Sequence, residues 1–360
     1  MYKFFIFLLF STTCFSKDIN LSDRGIVGDG VFDNWMIIQK AIDEVIESGG
    51  GVVNFPKGEF AIYNKSLVIW GNNVKLIGID YINSSIVKKG RPGYFGDCLD
   101  ITGQIKGYQY FGDFGKGNYN KRKVYEGETI KVKNIVIENL GFISDLDKSV
   151  DISRANNIGI LNAENIKIIN CKVQAAPQTN VGIVNDTSVS STHNIIFENC
   201  IFLDSGQHNV RVISYNQGNK IGNKVKFLNC QFLNVLNIDI VQKELKGYKV
   251  HLWYRGLGSI LENEVVVENC YFDETGFIYV NGNQNNISIK KSLVDSFLFV
   301  QNSSLDSNSL INVNQSTFMK KGDFESLLQA KKRFNSVRGS KIFEESSFGI
   351  MYPSILEYKK

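Results

Sequence analysis

The chain has 360 residues, 43% of them hydrophobic and 21% charged, with only 4 prolines, which excludes a disordered or collagen-like polymer and allows a long core. A balance of 40 basic against 36 acidic residues gives a formal charge of +4, too mild to argue for nucleic acid as a partner. After residue 16 there is no apolar run of about eighteen residues, so no membrane span is expected.

Residues 1–16 read as a secretory signal peptide: Lys3 supplies the positive region, Phe4–Phe10 the apolar stretch, and Cys14 and Ser16 the small residues before cleavage. A lipoprotein reading of Cys14 fits poorly, because Ser11, Thr12 and Thr13 make a poor lipidation box. The expected mature domain, 17–360, is therefore secreted or periplasmic. Trp35, Ile38, Ala41, Ile42 and Val45 then recur at helical spacing behind Asp33, which predicts a capped amphipathic helix over about 33–48.

From about 50 to 320 the chain repeats. One phrase recurs at Asn134–Phe142, Asn165–Val173, Asn194–Phe202, Lys224–Phe232 and Glu264–Phe272, with degraded copies at Asn286–Val294 and Leu310–Phe318. Its second asparagine falls at 139, 170, 199, 229 and 269, giving spacings of 31, 29, 30 and 40. Each copy alternates apolar and polar residues, turns at that asparagine, and alternates again: two short strands meeting at a corner. A unit of about thirty residues cannot bury its apolar face alone, whereas stacked units share one core. The fold expected is all-β, a single-stranded right-handed parallel β-helix, or solenoid, with an N-terminal α-helical cap. Residues 323–333 read as a short helix near a C-terminal cap over about 321–360.

Stacking puts Asn139, Asn170, Asn199, Asn229 and Asn269 in a ladder, expected to be buried and mutually bonded. It also puts Cys171, Cys200, Cys230 and Cys270 in one inward file. A linear file without histidine does not converge on a metal, and side-by-side sulfurs do not meet disulfide geometry. No metal site is expected, and the thiols read as a reduced core ladder.

The opening phrases Asp23–Asp33, Gly49–Gly58 and Leu67–Gly78, together with the ladders, resemble the pectate-lyase-like superfamily, which includes pectin-active enzymes, uronate epimerases and tailspike depolymerases. The resemblance implies right-handed coils and a carbohydrate ligand, and calcium would be a cofactor by resemblance only, since nothing in the sequence requires one. It does not name a reaction.

A third strand per coil aligns as Leu99–Thr102, Val150–Ser153, Val181–Val184, Val210–Ile213, Ile238–Val241 and Ile278–Asn281. Its outward file then reads Asp100, Asp151, Gly182, Arg211, Asp239, Tyr279, and two residues earlier Asn180, Asn209, Asn237. Asp151, Arg211 and Asp239 are the candidate catalytic residues. Asn180, Asn209, Asn237 and Tyr279 are candidate substrate contacts, and a solvated charged face is the competing reading. In the resembled lyases the base can be an arginine, and Arg211 is the arginine of this file. His208 has the parity of buried residues and reads as packed; His193 reads as surface. Two insertions break the period. One spans 90–127, rich in glycine and aromatics. The other lies between Asn229 and Asn269 and contains Tyr248, His251, Trp253 and Arg255, expected as groove walls that stack on sugars and pair with acidic groups. The function expected is cleavage of an acidic polysaccharide by a lyase or hydrolase; the alternative is a non-catalytic glycan-binding or envelope-associated protein.

Overall fold

The computed structural model describes residues 16–63, 65–90, 97–107, 109–113, 118–146, 156–185, 192–214, 224–235, 250–256, 263–282, 285–295, 298–301 and 310–318. The expected signal peptide and the expected C-terminal helix lie outside them.

Three parallel sheets form the faces of a solenoid, of ten, nine and eight strands. Each coil contributes one strand to each sheet in turn. The strand Val132–Glu138 belongs to the first sheet, Gly141–Leu146 to the second and Asn156–Leu161 to the third, before the chain returns to the first at Ala163–Ile169. This is the expected parallel β-helix. Register is exact across the repeats, with Ile137 beside Ile168, then Phe197, Phe227 and Val267. Inward positions therefore stack like on like. Phe197 lies flat on Phe227 with ring centroids 5.1 Å apart, and Phe232 on Phe272 at 4.3 Å.

The open N-terminal end is closed by local chemistry as well as by burial. Helix α1, Trp35–Glu47, buries Trp35, Ile38, Ala41, Ile42 and Val45 against the first coils. Its buried Gln39 accepts from Val68 N at 2.7 Å and donates to Val68 O at 3.0 Å, which satisfies the free edge of the strand Leu67–Ile69. The edge of Gly58–Tyr63 is matched by the backbone of Gly28, Gly30 and Asn34. An uncovered edge would template further strands. Asp33 accepts from Trp35 N at 3.1 Å and from Tyr63 N at 3.2 Å, tying the helix start to the second sheet.

Two asparagine ladders run along the corners of the first sheet. At its exit, Asn170 donates to Asn139 at 3.1 Å, Asn199 to Asn170 at 3.0 Å and Asn269 to Asn229 at 2.7 Å. At its entry, Asn134 donates to Asn73, Asn165 to Asn134 and Asn194 to Asn165. The exit ladder is bonded in two runs, Asn139–Asn170–Asn199 and Asn229–Asn269, rather than as the single run expected, and it is not buried: Asn139 and Asn170 are half-exposed and Asn199, Asn229 and Asn269 exposed. The reason is backbone geometry. All five have φ between 52 and 60°, the left-handed region in which asparagine is tolerated and most residues are not. The corner needs the conformation, and the amides then bond along it. The cysteine ladder is as expected: Cys171, Cys200, Cys230 and Cys270 are buried and free, and so is Cys98, which lies outside it before a strand of the third sheet. Burial pushes the Cys98 and Cys171 thiols up to about 12, so they stay protonated and unreactive.

Candidate functional site

The third sheet departs from this regularity. One registered file of its strands reads Val68, Asp100, Gly159, Gly182, Arg211, Trp253, Tyr279, Phe299. Asp100, Gly182, Arg211 and Tyr279 are where the sequence placed them. The positions that the sequence assigned to Asp151 and Asp239 are held by other residues. The strands run Asn156–Leu161 and Val250–Gly256, later than the sequence alignment set them, so Gly159 and Trp253 hold those two positions. Asp151, Asp239, Asn237 and Tyr248 lie outside the described residues. His251, Trp253 and Arg255 belong to the sheet strand Val250–Gly256 rather than to an inserted wall. In the other insertion, Gln109–Asp113 and Asn118–Val124 form an antiparallel hairpin.

Asn180 and Asn209 are fully buried, which corrects their reading as solvent-facing contacts. Strict alternation fails where the second sheet bends into the third. There Asn180 accepts from Ala176 N at 3.1 Å and donates to Leu203 O at 2.8 Å, and Asn209 donates to Leu233 O at 3.0 Å. Asn157, Asn180 and Asn209 form an inner ladder, with Ser144 donating to Asn157 at 2.6 Å. They seal a corner. His208 is buried as expected, with Nδ1 3.3 Å from Thr179 Oγ1, and burial, reinforced by Arg211, holds its pKa well below the usual value. His193 is half-buried and pairs with Glu164 at 3.4 Å.

The chemistry gathers at one end of the file. The Asp97 and Asp100 carboxyls converge over Gly159. Burial first, then the charge of Asp97, raises the Asp100 carboxyl well above the usual range, with Ser66 hydrogen-bonding to it. Asp97 is oriented by Asn156, whose backbone N–H and side-chain amide donate to it at 2.9 and 3.3 Å. Both carboxyls reach over the neighbouring strand: a Cβ on Gly159 would lie 2.4 Å from Asp97 Oδ2 and 2.7 Å from Asp100 Oδ1, so a side chain there would displace them. Gly182 continues the file by one coil, under the Asn156 side chain, to the half-buried Arg211. Three strand steps separate Asp100 from Arg211, about 14 Å.

Lys88, on the inner face of the second sheet, is only 1% exposed, its ammonium donating to the Lys65 carbonyl. Sequence reasoning missed Asp97 and Lys88. The signals were a second aspartate three residues before Asp100, and a lysine two residues after Ile86, at inward parity in an apolar strand. Among the described residues no group of three or more His, Cys, Asp or Glu could hold a metal ion.

Residues 19–258 match the model of a family described as rhamnogalacturonase A/epimerase, pectate lyase-like. The chain belongs to that family. Among curated relatives it is 24% identical over 325 residues to plasmin and fibronectin-binding protein A of Streptococcus pneumoniae, covering 70% of this chain and 42% of that protein. It is 47% identical over 45 residues to mannuronan C5-epimerase AlgE5 of Azotobacter vinelandii, covering 12% of this chain and 4% of that one. The chain thus spans less than half the length of either relative. Among solved structures, ORF18 of Geobacillus virus E2 aligns over 83% of this chain and 60% of its own, at a TM-score of 0.49 and 16% identity.

Proposed function

We propose that this protein is a secreted enzyme that cleaves glycosidic bonds in an acidic polysaccharide, with the Asp97–Asp100 pair as its general acid. The observation that carries this reading is the convergence of the Asp97 and Asp100 carboxyls over Gly159, on the sheet that leads through Gly182 to Arg211, with the Asp100 carboxyl raised by burial. A carboxyl with a raised pKa can hold a proton and donate it to the departing glycosidic oxygen as the carbon–oxygen bond breaks and its electron pair passes to that oxygen. Arg211, always charged, offers a counter-charge to a uronate. The pair is too close to serve by itself as the two carboxyls of a glycosidase, which stand about 5–9.5 Å apart. It acts as one proton-transfer unit, and the second group of the reaction comes from elsewhere in the groove.

A panel of uronate-containing polysaccharides tests the proposal, read by ultraviolet absorbance for the double bond of elimination and by new reducing ends. Reducing ends with absorbance identify a lyase; reducing ends alone identify a hydrolase. Arg211→Ala is expected to lower turnover on acidic substrates by more than tenfold with little change in Tm. The long alignment with a pneumococcal binding protein supports a second reading, a surface protein that binds without cleaving. Retention of a polysaccharide with no turnover on any substrate would favour that reading.

A further inference from the structure

The outward face of the first sheet carries a pattern that stacking alone does not explain. Six successive strands, from Val74–Ile77 to Asn263–Glu268, each place two side chains on it. One registered file reads Lys75, Val136, Lys167, Ile196, Lys226, Val266. The other, two residues further along each strand, reads Ile77, Glu138, Ile169, Glu198, Leu228, Glu268. Charge and aliphatic alternate without exception, and the two files are out of phase, so that every strand offers one charge and one aliphatic. The pattern stops at the next coil, where Ser288 and Lys290 follow. The residues between the files, from Leu76 to Val267, are core, which turns these side chains outward. The three lysines are exposed, and the aliphatics other than Val266 are half-buried. Alternation keeps like charges two coils apart, about 10 Å, and so avoids repulsion within a file. Any small polar residue would serve that purpose, yet all six intervening positions are valine, isoleucine or leucine. Among the described residues none of the six charges forms an ion pair; those of this sheet lie at its entry, on Glu164.

We propose that this face is a contact surface for a second copy of the chain, laid on it with the two solenoid axes parallel and one coil out of register. Turning a copy over about its axis lays its glutamate file over the lysine file, and its lysine file over the glutamate file. In exact coil register every charge would then meet an aliphatic. A shift of one coil removes the mismatch. Lys167 and Lys226 meet Glu138 and Glu198 of the second copy, while Glu138, Glu198 and Glu268 meet its Lys75, Lys167 and Lys226. Aliphatics meet aliphatics throughout. Antiparallel axes would instead lay lysine file on lysine file and bring no lysine to a glutamate. Exposed ion pairs are individually weak, so burial of the aliphatics supplies the attraction, and the charges select the partner, its direction and its register. The asparagine ladders at the two corners of the sheet give the contact a polar rim. The third sheet is another face of the solenoid and stays open, so the pairing is independent of the reaction proposed above.

Sedimentation velocity through the micromolar concentration range is expected to show a wild-type dimer that weakens as salt is raised. Two charge-reversed triple variants probe the pattern: Lys75→Glu/Lys167→Glu/Lys226→Glu, and Glu138→Lys/Glu198→Lys/Glu268→Lys. Each is expected to be monomeric alone, because its face then repels its own copy. Mixed in equal amounts they are expected to form a one-to-one complex, because one face is all acid and the other all base. If either triple variant does not fold, the single variants Lys167→Glu and Glu198→Lys, which face each other across the contact, take its place. Each is expected to raise the dimer Kd by more than tenfold alone, and mixing the two is expected to restore it. A wild type that stays monomeric, reversed variants that dimerise as the wild type does, or a mixture that does not associate would overturn the proposal.

Discussion

The first and third sheets are built from the same coils, yet only one of them repeats its side chains faithfully. Around the first sheet the corner positions are asparagine in coil after coil and the inward positions aliphatic, phenylalanine or cysteine. Along the third, the registered file varies, from Asp100 through two glycines to Arg211, Trp253 and Tyr279. Sameness is what a stacking interaction requires, because a ladder bond or ring stack needs its own kind above and below. The proposed function assigns chemistry to the varied file and construction to the repeated ones.

The sharpest attack on the construction side is Phe232→Ala. Phe232 is stacked on Phe272 at 4.3 Å and lies 5.0 Å from Phe202, so its loss opens a cavity shared by three coils. A destabilisation of about 3–5 kcal/mol is expected, seen as a lower denaturant midpoint. A corner test is smaller and more specific. Asn199→Ala forces alanine into a φ of 53° and removes the bond to Asn170, and about 1–2 kcal/mol should be lost. Asn199→Gly should lose less, since glycine accepts that conformation freely. Equal losses would mean that the amide bond, not the backbone, governs the corner.

Two groups of the third sheet respond to pH with opposite sign. Asp100 has a raised pKa in the folded state, so the stability it contributes is present below the usual aspartate value, about 4, and is lost as pH rises through its folded pKa. His208 is depressed, so its contribution is present above about 6.5 and is lost as pH falls through its lowered folded value. Melting temperatures measured from pH 4 to 9 should show Asp100→Asn removing the decline on the alkaline side while leaving the acid side unchanged.

How much of this could be read from the residues follows the same division. The corners were legible because five copies agree on their asparagine and four on their cysteine, and agreement at a fixed spacing survives errors in any one copy. Exposure of the asparagine ladder was not legible, since the sequence shows the residue but not the positive φ that selects it. The third sheet was harder. Val150–Ser153 and Ile238–Val241 match the strand pattern as well as Asn156–Leu161 and Val250–Gly256 do, and the sequence alone does not show the pairing by which Gly159 and Trp253 hold those two positions. Asp97 escaped notice because it precedes the strand Leu99–Thr102, and its link to Asp100 arises from the fold.

The central claim is that the irregular end of the third sheet, and not the regular corners, performs the chemistry. Its most direct test is turnover of Asp100→Asn beside Asn199→Ala on the uronate polysaccharide that the wild type cleaves best, at a temperature where both variants are folded. Loss of about 10²–10⁴-fold in kcat for Asp100→Asn, with Asn199→Ala close to wild type, is the predicted result. Undiminished kcat in Asp100→Asn would contradict the account.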